Sequence, residues 1–161
     1  MKRAFFKVIV LLLITVILLS SCSGQSISCY KVASDVALKF SIDFPIYSPS
    51  VKEGERGYCE VGFLTELYGI EEGRVIDFAV ILASTLDFYG EIAILLCHTE
   101  YDAILCEKNL RGRLREVIAH AGALDVSAAR SAELSREGRL LILCAVEDSA
   151  RAMRLIKAGA R

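Results

Sequence analysis

Two hydrophobic rhythms organise the chain. From Val8 to Leu19 it is apolar with only Thr15 interrupting, and beyond residue 28 the apolar positions either recur every three to four residues or run together in short blocks. The three-to-four rhythm marks amphipathic helices, and the blocks mark buried strands. Tyr30, Ala33, Val36, Ala37 and Phe40 predict a helix from about Ser28 to Ser41, with Ser28 as its cap. Pro45, Pro49, Gly54 and Gly57 then mark a loop. A short helix follows from about Cys59 to Leu67, and Gly69 is expected to end it with positive φ. Val75 to Ser84 and Glu91 to Cys97 are rich in Val, Ile, Phe and Leu and read as a hairpin joined through residues 85–90. Both are almost continuously apolar, which predicts burial on two faces or a second face partly covered.

The longest helix is predicted from Tyr101 to Ala121, with Leu110, Leu114, Val117, Ile118 and Ala121 as its inner stripe and Gly122 as its stop. Residues 123–138 hold good helix formers but little apolar periodicity, so a loop with one or two helical turns is expected there. Leu140 to Val146 reads as a third strand, and Asp148 opens a last helix to about Ala158, with Lys157 near its end where the helix dipole favours a cation. The expected fold is α+β: a three-stranded sheet, made of the hairpin plus a third strand after a long crossover helix, with one face packed by helices. If the third strand lies beside the second, the long helix is a right-handed crossover. Ile94 and Val117 are predicted core residues.

With 161 residues and 54% hydrophobic content, the chain suits one domain with a real core. The first 21 residues contain Lys2, Arg3 and Lys7 and no acid, so the remainder keeps 16 of the 19 basic residues against 20 acidic ones, a net charge of −4. A mildly acidic domain argues against a nucleic-acid partner. The basic start and the apolar run form a secretory signal. Twelve helical residues reach about 18 Å, short of the roughly 30 Å of a hydrocarbon core, so a permanent membrane span is the weaker reading.

Leu19-Ser20-Ser21-Cys22, directly behind that run, resembles the lipobox of bacterial lipoproteins: an aliphatic residue, two small residues and a cysteine. The resemblance implies that the Cys22 thiol takes a diacylglyceryl group and that the mature chain begins there. Two acyl chains suffice for stable anchoring where one does not. The expected organisation is a lipoprotein signal peptide over residues 1–21, the lipidated Cys22 with a short tether over 22–27, and a single α+β domain over 28–161, held at the outer face of the cell membrane.

Leu67-Tyr68-Gly69-Ile70, the strand from Val75, Gly90-Glu91-Ile92-Ala93-Ile94 leading into a long helix, and Gly138 to Met153 resemble the bacterial lipoprotein family catalogued as domain of unknown function 4358. The match covers roughly residues 28–158. It implies a small secreted α/β lipoprotein and no particular activity. Residues 122–135 depart from the pattern, lacking an aromatic residue in that connection.

Cys29, Cys59, Cys97, Cys106 and Cys144 follow the lipobox, an odd number in a compartment that permits disulfides. Most are expected as reduced, packed thiols, and Cys29–Cys59 is the bridge to test first. Cys97 and His98 cannot form a nucleophile–base dyad, because neighbours on a strand point to opposite faces. Cys and His spacing supplies no zinc site, and no cofactor motif is present. Glu91, Glu71 and Glu72 are expected to be solvated. Arg111, Arg113 and Arg115 fall at two-residue steps round a helix and read as surface charge.

No catalytic residues are therefore assigned. The expected function is a non-enzymatic binding or interaction module at the cell envelope, with a protein, peptide or cell-wall fragment as partner. The alternative is an envelope enzyme, thiol-based, using an exposed Cys59 or Cys106.

Overall fold

The computed structural model describes residues 27–84, 89–124 and 127–160. The expected signal peptide, Cys22, the expected tether up to Ser26 and residues 85–88 lie outside the described residues. In chain order the elements are α1 (Cys29–Lys39), β1 (Ile46–Tyr47), α2 (Gly62–Tyr68), β2 (Val75–Ser84), β3 (Tyr89–Cys97), α3 (Glu100–Leu124), α4 (Ser127–Arg130), β4 (Glu133–Glu137), β5 (Leu140–Ala145) and α5 (Ser149–Gly159).

The α+β class holds, but the sheet has five strands where three were expected, in the order β1-β2-β3-β5-β4 with every pair antiparallel. The two extra strands are the edges. β1 is two residues long, and β4 is the exposed, charged segment Glu-Leu-Ser-Arg-Glu, paired residue for residue with β5. Short or charged strands are what sheet edges favour, because they discourage pairing with other chains. The third predicted strand, β5, does lie beside β3, yet antiparallel to it. Since β3 and β4 both run antiparallel to β5, α3 carries the chain from β3 across β5 to β4, and the crossover joins a different pair of strands from the one expected.

Alternation along the strands sends side chains to two faces. Ala79, Ile81, Ile92, Ile94, Ile142 and Cys144 meet α1 and α5 through Val32, Val36, Met153 and Ile156. Phe78, Val80, Ala93, Leu95, Leu141 and Leu143 meet α2 and α3 through Leu64, Leu110 and Ala103. Both faces are thus packed by helices, where one was expected, and the nearly continuous apolar runs follow from that. Each fully buried Leu, Ile or Phe contributes roughly 1.5–3 kcal/mol. Tyr47, Phe63 and Phe78 form a stack at centroid separations of 5.3 and 6.3 Å, which ties β1 and α2 to the sheet.

Local chemistry sets the helix ends. Ser28 Oγ accepts the Lys31 amide at 3.3 Å, and Asp148 Oδ1 accepts the Arg151 amide at 3.0 Å. A β-bulge between Val75 and Asp77 turns the Asp77 carboxylate toward α1, where Oδ2 accepts the Cys29 amide at 2.8 Å. Gly69 has φ 67°, as the sequence predicts for a helix stop. Gly57 has φ 101°, and a Cβ there would stand 2.5 Å from the Ile46 carbonyl oxygen, so β1 can close on the loop only over a glycine.

Ile94 and Val117 are buried as predicted. Two details of the stripes differ. Ile118 is exposed, and α3 runs through Gly122 to Leu124. On α1 the buried row is Cys29, Val32, Ala33, Val36 and Ala37, which leaves Tyr30 at the surface.

Candidate functional site

Polar chemistry concentrates on the α2/α3 side. The end of α2 is fixed to α3 by Asn109, whose Nδ2 donates to the Tyr68 carbonyl at 3.2 Å and to the Gly69 carbonyl at 2.8 Å. Between them lies a cleft of about 510 Å³, lined by Leu67, Gly69, Lys108, Asn109, Arg113 and Glu116 among others. Gly112 adds no side chain to its floor, which leaves room above Arg113.

Arg113 connects this cleft to the interior. Its Nε donates to Glu91 Oε1 at 3.2 Å and Oε2 at 3.0 Å, and its Nη2 donates to Oε2 at 2.8 Å. On the other side, Arg113 Nη1 stands 3.6 Å from Glu116 Oε2. Glu91 is completely buried at the start of β3, so its charge depends on this guanidinium fork. The expectation of a solvated Glu91 and a surface Arg113 is corrected accordingly. The signal available in sequence was one carboxylate heading an otherwise apolar strand. Its partner, 22 residues away on α3, was not legible.

A second constellation sits where β3 ends and α3 begins. Thr99 Oγ1 donates to Asp102 Oδ2 at 2.6 Å and accepts the Asp102 amide at 3.0 Å, closing the first turn of α3. Arg74 pairs with Asp102 at 3.1 Å and also with Glu71. The Thr99 hydroxyl and then Arg74 hold the Asp102 carboxyl below the usual carboxylate range. Cys97 and Cys106 meet just inside, both buried. The two thiols interact, which raises Cys97 strongly and lowers Cys106, with Arg74 lowering Cys106 further.

The other candidate residues are dispersed. All five described cysteines are free, and the Cys29–Cys59 bridge is not formed. Cys29 belongs to the α1/α5 side, with its thiol donating to the Asp77 carbonyl, while Cys59 packs on the α2/α3 side, so the sheet separates them. Burial pushes Cys59 up to about 11 and Cys144 up to about 12. The thiol-based alternative calls for an exposed Cys59 or Cys106, and Cys106 is 1% exposed. His98 is exposed just past β3, and nothing is described of the His120 side chain. Among the described residues no group of three or more His, Cys, Asp or Glu is placed to hold a metal ion, and no helix is long and apolar enough to cross a membrane. Cys22, the expected lipidation site, lies outside the described residues.

The chain matches no protein-family model, no curated protein and no solved structure in comparisons with each.

Proposed function

We propose that this chain is an extracytoplasmic lipoprotein of the family catalogued as domain of unknown function 4358, held at the cell membrane by lipid on Cys22, whose domain is a non-enzymatic binding module. The observation that carries the anchor is Leu19-Ser20-Ser21-Cys22 behind a basic start and an apolar run. The cleft between α2 and α3 supports the binding role. Its wall carries donors and acceptors from Lys108, Arg113 and Glu116, groups suited to a peptide or cell-wall fragment. Arg113 is held in place by buried Glu91, so a polar ligand meets a preorganised group.

Cys22→Ala tests the anchor. The variant is expected to stay unprocessed or to leave the membrane fraction, and a variant that matures and fractionates unchanged contradicts the proposal. The envelope-enzyme alternative draws on the lowered thiol of Cys106. Against it stand the burial of Cys106 and the raised thiol of Cys59. Alkylation of the folded, unreduced protein separates the two readings: slow, unselective labelling favours the binding module, and one cysteine reacting far faster than the rest favours the enzyme.

A further inference from the structure

Three exposed apolar side chains are tied to one end of the sheet through the contacts of their chain neighbours. Tyr30 follows Cys29, whose amide is bonded to Asp77, and Ile76 precedes Asp77. Two residues before Ile76, Arg74 pairs with Asp102, and Tyr101 precedes Asp102. Tyr30 is 36% exposed, Ile76 45% and Tyr101 67%. This is the end at which α1 and α3 begin and β3 finishes.

The same end receives the tether. Ile27 is packed against the α1/α5 core, so only Cys22 to Ser26 separate the proposed lipid from the fold. Fully extended, that stretch spans about 17 Å. The ten residues of β2 carry the far end of the sheet about 33 Å further from this one. An anchored domain therefore presents this end to its own membrane.

We infer that this end is a membrane-docking face, in which Tyr30, Ile76 and Tyr101 enter the interfacial zone of the bilayer. Tyrosine suits that zone, with an apolar ring and a polar hydroxyl, and isoleucine suits the layer beneath it. Exposed Lys31 and Arg139 stand at this end beside exposed Glu71 and Glu100, so the charge is mixed and the contact depends on apolar and aromatic area more than on net attraction. The inference rests on the lipid anchor proposed above and adds an orientation to it.

The chain contains no tryptophan, so Tyr101→Trp in the mature lipoprotein places its single tryptophan at this face. Leu38→Trp, near the opposite end of α1 and 82% exposed, is the control. Both are reconstituted in vesicles of phosphatidylglycerol and phosphatidylethanolamine containing lipid brominated near the headgroup end of its chains. Tyr101→Trp is expected to shift to the blue and to be quenched several-fold more than Leu38→Trp. Equal, weak quenching of both in protein that floats with the vesicles overturns the docking face and leaves the anchor standing. Protein that does not float, and lacks acyl mass, overturns the anchor and the orientation with it. A blue shift at Tyr101→Trp that grows with protein concentration, without bromine quenching, assigns the face to a second copy and overturns docking.

Discussion

The two faces of the sheet are built on different principles. On the α1/α5 side the interior is aliphatic: Val32, Val36, Ile94, Ile142 and Ile156 close over one another, and polar groups serve the helix ends. On the α2/α3 side the packing admits a buried carboxylate, an interacting pair of buried thiols and a cleft. The first side shows how a continuous apolar strand is stabilised. The second shows where stability depends on pairing, because each buried polar group is safe only while its partner stays in place.

The strongest way to break this comparison is Arg113→Ala. It leaves Glu91 buried without its guanidinium, and a loss of about 3–5 kcal/mol is expected in denaturant unfolding. Replacing both partners by apolar residues, Glu91→Leu with Arg113→Met, should recover most of that loss. If the single variant is near neutral, Glu91 is not held by pairing and the contrast between the faces fails. On the aliphatic side, Ile94→Ala removes methylenes from a close-packed core and is expected to cost about 2–4 kcal/mol. An effect below about 0.5 kcal/mol would show that the core is misplaced.

Smaller changes sharpen the contrast. Gly69→Ala forces a left-handed conformation on alanine and brings its Cβ to 3.3 Å from Asn109 Nδ2, so a cost of about 1 kcal/mol is expected, with changed chemical shifts along the cleft. Acid should act on the α2/α3 side first. Asp102 is held below the carboxylate range by Thr99 and Arg74, and Glu107 by Arg136 and then Arg111. Groups with lowered folded values stabilise fully above the unfolded carboxylate range of about pH 4, and that contribution is lost as pH falls through the lower folded values. Amide exchange below about pH 4 should therefore rise in α3 before α1. Equal rise in both helices would contradict this.

Sequence made the centre of the fold legible and its margins illegible, for physical reasons. β2, β3 and β5 carry apolar runs whose burial is decided by their own side chains, and Ser28, Gly69 and Asp148 are local devices that act within a turn. β1 is too short to carry a pattern, and β4 is a strand because β5 offers it a ladder, whatever its own residues prefer. Gly122 failed as a stop because a glycine flanked by alanines is tolerated inside a long helix. Of the site, the lone Glu91 was visible, but its partner was hidden among three arginines whose faces depend on how α3 sits on the sheet. The Cys97–Cys106 contact likewise joins a strand end to a helix and has no local signature.

Anchoring at the membrane depends on where the mature chain begins and what it carries. Intact mass spectrometry of protein extracted from membranes is predicted to give a chain starting at Cys22 with the added mass of a diacylglyceryl group. A mass that retains Met1, or one that starts elsewhere without acyl chains, would contradict it.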